Sequence, residues 1–145
     1  MINIGDIRNI PFFHSFDDFQ LKEIVPYFIE VKLKAGETLI QKGKVNYSIH
    51  FIIQGTASVS LDGKHIVDLD KLGEVIGEVS MAINSPSTAN VTAKTDMTLY
   101  KFAFEEMRKK LPEKARDGIL KNFYKGGMEI LAHKLKSTNA RNLIV

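Results

Sequence analysis

The residues best placed to do chemistry lie in Gly73-Glu74-Val75-Ile76-Gly77-Glu78-Val79-Ser80-Met81-Ala82 and the following Ser85-Pro86-Ser87-Thr88-Ala89. The stretch reads as a strand end, a glycine turn, one helical turn, and a second turn entering a strand. Gly77 frees the backbone, and the N–H groups of Gly77, Val79 and Ser80 then point outward from a helix N-terminus, which suits an anion or phosphate. Glu78 complements the dipole of that short helix. Gly73 and Gly77 do not form a nucleoside-triphosphate loop, because no Lys-Ser/Thr pair follows them. Metal chemistry has less support. His14, His50, His65 and His133 are scattered, whereas a metal centre in a small β-barrel enzyme needs a His-x-His pair with a Glu and a further His. His50 opens a buried strand and reads as a hydrogen-bonded structural histidine. There is no Ser-His-Asp order and no metal-binding helix motif. The expectation is a protein that is not an enzyme, with no catalytic residue and no metal site.

The bulk composition narrows the classes further. A chain of 145 residues with 44% apolar and 26% charged residues can bury one core. The absence of cysteine removes disulfides, thiolate catalysis and Cys-zinc sites together. No apolar run approaches the roughly 18 residues of a membrane span, so no membrane partner is expected. The start Met1-Ile2-Asn3-Ile4-Gly5-Asp6 lacks a basic, apolar leader, which favours the cytoplasm. The formal charge is only +3, but from Lys101 to Arg141 there are eleven Lys/Arg against five Asp/Glu. A solvated helix face accounts for that run as well as phosphate attraction does.

Three kinds of element must position the glycine-rich stretch. Phe12, Phe13, Phe16, Phe19, Leu21, Ile24, Val25 and Phe28 form an apolar, partly helical segment. Ser15-Phe16-Asp17-Asp18 offers caps for a helix near 17–25 that Pro26 should end or kink. From 29 to 103 the pattern changes to short strands: 29–33, 38–40, 50–53, 57–61, 65–69, 91–93 and 98–102. Lys42-Gly43-Lys44-Val45-Asn46 reads as a loop between two of them. Asp62-Gly63 sits between alternating strands and signals a hairpin. Many short strands with glycine turns imply a sandwich or jelly-roll barrel. Residues 104–111 form a short helix, and Pro112 opens another. Ile119, Leu120, Phe123, Met128, Ile130, Leu131 and Leu135 give its apolar stripe, and Gly126-Gly127 is expected to act as a hinge within it.

The segment from Ile76 to Ala89 closely resembles the phosphate-binding cassette of the cyclic nucleotide-binding domain family. That cassette runs aromatic-Gly-Glu-aliphatic-Ala-Leu, a spacer, then Pro-Arg-small-Ala. Ile76 stands for the aromatic residue; Gly77, Glu78, Pro86 and Ala89 match; Ser80 replaces the alanine and Ser87 the arginine. The likeness extends over roughly 10–140. Leu33-Lys34-Ala35-Gly36-Glu37 is similar to the family's first glycine turn, and Phe51 to Val59 to its hairpin arm. Gly36, Gly43, Gly55, Gly63, Gly73 and Gly77 fall in order where a β-roll turns. The resemblance implies a mainly β fold: a jelly-roll or β-roll barrel of cyclic nucleotide-binding type. Its N-terminal helical segment would span 1–28, the roll 29–103 and the C-terminal helices 104–145, all in one domain.

The same resemblance implies site roles. Glu78 would accept hydrogen bonds from a ribose 2′-hydroxyl, Thr88 would touch a purine, and Thr138 and Asn139 would reach the base from the last helix. Gly77, Val79, Ser80, Ser87, Thr88 and Ala89 complete the ligand-binding set. The family arginine at the position of Ser87 neutralises the cyclic phosphate by a bidentate pair. A serine offers one neutral hydrogen bond, and losing a buried charged contact costs roughly 2–5 kcal/mol. Lys94, read as mid-strand, is not credited with replacing it. The resulting expectation is a stand-alone, non-catalytic sensor or regulatory module with weak or no cAMP or cGMP binding and no resident cofactor. An effector protein would read its C-terminal helix. The alternatives are a structural or dimerisation module with a dead pocket and, less favoured, a small β-barrel enzyme. A weak homodimer through the segment beyond Gly127 is expected. Sequence-specific nucleic-acid binding is not, since transcription factors of the family carry a DNA-reading domain after the long helix.

Overall fold

Local sequence signals set each helix boundary in the computed structural model, which describes residues 1–77 and 86–136. Helix α1 (Ile4–Arg8) starts at a capping box formed by Asn3 and Asp6. Helix α2 (Asp18–Ile24) starts at a second one, formed by Asp17 and Gln20. In both boxes each side chain satisfies the other residue's backbone N–H. A 3-10 turn at Pro11–Phe13 joins them, and Pro26 converts the end of α2 into another 3-10 turn at Val25–Tyr27. The short α1 was not expected, because five residues carry too little apolar periodicity to announce a helix.

Eight strands follow: β1 (Phe28–Leu33), β2 (Thr38–Ile40), β3 (Ile49–Gln54), β4 (Ala57–Leu61), β5 (Lys64–Leu69), β6 (Val75–Ile76), β7 (Asn90–Ala93) and β8 (Met97–Phe102). They make two antiparallel four-stranded sheets, ordered β1-β8-β3-β6 and β2-β7-β4-β5. The expected roll is therefore built from two sheets, and no closed barrel forms among the described residues. The β4–β5 hairpin turns at Asp62 and Gly63, with φ of 51° and 80°. Two successive positive φ angles define the turn that follows the natural twist of a hairpin, which is why Asp-Gly sits there. Helices α3 (Phe104–Lys110) and α4 (Glu113–Lys136) follow β8.

Strand alternation splits the core in two. In β3, Ile49 and Phe51 face the helices, while Ile52 faces the space between the sheets. In β8, Phe102 faces the helices and Met97 and Leu99 face inward. The helical side is an aromatic cluster centred on Phe123 of α4. Its ring lies 4.9 Å from Phe102, 5.2 Å from Phe16 and 5.5 Å from Phe12, centroid to centroid.

Helix α4 runs unbroken through Gly126 and Gly127, contrary to the expected hinge. Packing explains the first glycine: a methyl group at Gly126 would lie 3.2 Å from the Phe12 ring and from the Phe12 carbonyl oxygen. Gly127 has open space around it. Ile119 and Phe123 are buried against the N-terminal aromatics, so this part of the apolar stripe finds cover within its own chain, whereas Met128 is exposed.

Candidate functional site

One loop joins both ends of the cassette. The chain between β2 and β3 contacts the residues that precede and follow 78–85. Lys42 N–H donates to the side chain of Asn90 at 2.8 Å. Gly43 N–H donates to the Ser87 carbonyl at 2.9 Å, and Ser87 N–H returns a bond to the Lys44 carbonyl at 3.0 Å. Val45 bridges to Pro86. On the other side, Gly77 follows β6 with φ of 95°. A methyl group there would overlap Nδ2 of Asn46 and lie 3.1 Å from the Ser48 carbonyl. Gly77 is thus required twice, by its left-handed backbone and by the close approach of the loop.

Four candidate residues can be placed by this geometry. Gly77 closes one end, and Ser87, Thr88 and Ala89 form the other. Glu78, Val79, Ser80, Thr138 and Asn139 lie outside the described residues. Ser87 is 5% exposed. Its hydroxyl donates to the Ala89 carbonyl at 2.8 Å and accepts a long bond of 3.4 Å from Ala89 N–H. The single hydroxyl proton is therefore spent within its own turn. Ala89 is buried in the inner cluster. Thr88 is exposed, with no hydrogen-bond partner among the described residues. Lys94 follows β7 rather than lying mid-strand, and its ammonium bonds Asp68 at 2.7 Å. Asp68 also holds His65 at 2.8 Å, and these contacts with Lys94 and His65 keep its carboxyl below the usual range.

His50 departs from the expectation of a hydrogen-bonded histidine. It is 5% exposed, yet among the described residues its Nδ1 has no hydrogen-bond partner, and neither does the buried Nδ2 of Asn46. Burial, with the charge of Lys101 second, lowers the imidazole from 6.5 to about 4, so the ring is neutral at pH 7. The strand register explains the proximity. Lys101 in β8 pairs with His50 in β3, which pairs with Ile76 in β6, immediately before Gly77. Asn46 and Lys101 were missed as candidates. A signal was available for Lys101: period-two alternation puts it on the same face of β8 as Leu99 and Met97.

This architecture agrees with a family match. Residues 30–113 fit the model of the cyclic nucleotide-binding domain. The chain belongs to the cyclic nucleotide-binding domain family. A Drosophila melanogaster cGMP-dependent protein kinase is 32% identical over 89 residues, covering 61% of this chain and 8% of the kinase. A putative cyclic nucleotide-binding protein from Geobacter metallireducens superposes with a TM-score of 0.80 at 16% identity, over 93% of this chain and 99% of that one. The regulatory subunit of a cAMP-independent protein kinase A from Trypanosoma brucei gives 0.70 at 21% identity, over 94% of this chain and 47% of the other. A triple mutant of that trypanosome protein has been seen with cAMP in its A site, and it superposes with a TM-score of 0.71 at 20% identity, over 95% of this chain and 47% of the mutant's. The chain thus spans a small part of the kinase and about half of the trypanosome subunit.

Among the described residues no group of three His, Asp or Glu side chains is placed to hold a metal ion. No described helix is long and apolar enough to cross a membrane.

Proposed function

We propose that this chain is a non-catalytic regulatory module of the cyclic nucleotide-binding fold whose pocket binds cAMP and cGMP weakly or not at all. The observation that carries this is Ser87. At the position where the cassette pattern has arginine there is a short, uncharged side chain, 5% exposed, whose proton is committed to the Ala89 carbonyl. A cyclic phosphate arriving there would lose its water without gaining a counter-charge from that residue, and a desolvated anion needs one. The trypanosome relative supports the same view: it belongs to a cAMP-independent kinase, and cAMP is described with its triple mutant.

The output side of the module is the outer face of α4. Its inner face is used by the aromatic cluster, while Tyr124 and Met128 stay 53% and 73% exposed. An effector protein, or in the second reading another copy of this chain in a weak dimer, would engage that face. A thermal-shift screen with cAMP, cGMP, cyclic dinucleotides and small anions tests the sensor reading. A saturable shift with at least one of them is expected. A flat response to all of them, with a dimer in light scattering, favours the dimerisation module.

A further inference from the structure

The inner face of the first sheet carries a row of residues that no part of the cassette pattern accounts for. Register places Ile29 of β1, Lys101 of β8, His50 of β3 and Ile76 of β6 side by side across all four strands. Directly paired residues in a sheet project to the same face. That face is the inner one, because Leu99 and Ile52, two residues along from Lys101 and His50, belong to the cluster between the sheets. The row ends at Ile76, and the next residue is Gly77, against which the amide of Asn46 packs. At the opposite end Ile29 is 55% exposed, so the row opens to solvent.

None of the polar groups here is an anion. Lys101 brings a cation that forms no ion pair among the described residues. Asn46 brings an amide donor, Nδ2, that is buried and unpartnered. His50 brings a ring nitrogen, Nδ1, that is buried and unpartnered inside a side chain 95% removed from solvent. Buried polar groups in folded proteins are almost always hydrogen-bonded, so two unmet ones adjoining one glycine turn call for a ligand. No carboxylate stands in the row. Two donors, one of them charged, and a neutral ring nitrogen that donates in one of its two tautomers, on a wall that ends at a left-handed glycine, suit a tetrahedral oxyanion better than a cationic group.

We propose that Lys101, His50 and Asn46 form an oxyanion subsite for a phosphate monoester, on the opposite sheet from Ser87. The second sheet carries Ser87 just ahead of β7, whereas the subsite belongs to β8, β3 and the loop before β3. A cyclic diester fixed by a cassette arginine and a monoester fixed by Lys101 would therefore meet different sheets of the roll. A terminal phosphate with two negative charges gains most from an ammonium, and a bridging cyclic phosphate with one gains less. The pocket would then have exchanged its preferred ligand, with Ser87 and Lys101 as the two halves of the change. This proposal rests on the reading of the roll as a ligand-binding module.

Titration calorimetry on the full chain, at constant ionic strength, tests it with inorganic phosphate, adenosine 5′-monophosphate, adenosine and cAMP. The monophosphate should bind at least tenfold more tightly than adenosine or cAMP, and inorganic phosphate should move the side-chain NMR signals of His50. Lys101→Met, which keeps the aliphatic stem, should abolish that preference, with Lys101→Gln as the second variant should Met perturb folding. Lys121→Met on α4 should leave it unchanged. Adenosine binding as tightly as its monophosphate overturns the subsite while leaving a ligand-binding module intact. A preference lost equally in Lys121→Met overturns it as diffuse attraction to the basic helix. Silence from all four ligands overturns the subsite alone; the sensor reading falls only if cGMP, cyclic dinucleotides and the other anions of the thermal-shift screen are silent as well.

Discussion

The two sides of the first sheet are built from the same strands and satisfy opposite demands. On the helical side, Phe12, Phe13, Phe16, Phe28, Phe51, Phe102, Phe104 and Phe123 meet in edge-to-face, tilted and stacked pairs with centroids between 4.7 and 6.5 Å apart. Among the described residues neither buried polar side chain, His50 or Ser87, belongs to this cluster, and even a glycine of α4 is fitted to the Phe12 ring. On the roll side, at the cassette end, His50 and Asn46 hold buried nitrogen atoms without partners among the described residues, and Ser87 has turned its hydroxyl onto the Ala89 carbonyl two residues on. The difference separates stability from recognition. One face maximises dispersion and apolar burial, and the other keeps unmet hydrogen-bonding capacity where a ligand would enter.

Removing the hub of the saturated side should have the largest effect. Phe123→Ala is expected to cost about 3–5 kcal/mol in urea unfolding. Five rings would lose a neighbour, including Phe13 at 5.8 Å and Phe104 at 5.4 Å. A loss under 1 kcal/mol would mean that α4 is only loosely attached, and the contrast between the two faces would dissolve.

The unsatisfied side should declare itself through pH. The His50 imidazole is held near 4 in the folded protein against 6.5 when unfolded. Below 6.5 the unfolded chain therefore takes up a proton that the folded one refuses. The stability present above pH 6.5 is lost as the pH falls toward 4, by an amount on the order of 3 kcal/mol. His50→Leu should flatten that part of the curve relative to wild type. Identical slopes for the two proteins between pH 7 and 4 would show that the imidazole is not sealed from water.

The two adjacent glycines sharpen the comparison by the smallest margin. Gly127→Ala should stabilise α4 by about 0.8–1 kcal/mol, because its surroundings are open. Gly126→Ala should gain less or lose, because its methyl group meets Phe12 at 3.2 Å. Equal gains at both positions, read from thermal melts, would remove the packing explanation for Gly126.

Sequence alone made much of this visible, for reasons that differ by element. The β4–β5 hairpin was legible because Asp62-Gly63 encodes its own backbone angles. Helix α2 was legible because Asp17 and Asp18 precede an apolar run that Pro26 stops. The glycines of the cassette pattern marked the fold because each sits where a strand must turn. Helix α1 escaped notice because its capping box is followed by only one turn of helix. Gly126 was misread as a hinge because glycine is costly in a helix, and only the position of Phe12 shows what the missing side chain makes room for. At the site, Ser87 stood out by its type, whereas Asn46 and Lys101 did not. Asn46 matters through its approach to Gly77, 31 positions along the chain by their numbering. Lys101 matters through a cross-strand register with His50, which no local pattern encodes.

The central claim is that one residue, Ser87, removes the counter-charge a cyclic phosphate needs. Calorimetry with cAMP and cGMP on the wild type and on Ser87→Arg tests it most directly. The wild type should show no dissociation constant below about 10 µM, which corresponds to near −7 kcal/mol. Ser87→Arg should tighten binding by roughly 2–5 kcal/mol, the worth of a buried charged contact. Tight cyclic nucleotide binding by the wild type, or a folded Ser87→Arg variant that binds neither nucleotide better, would contradict the claim.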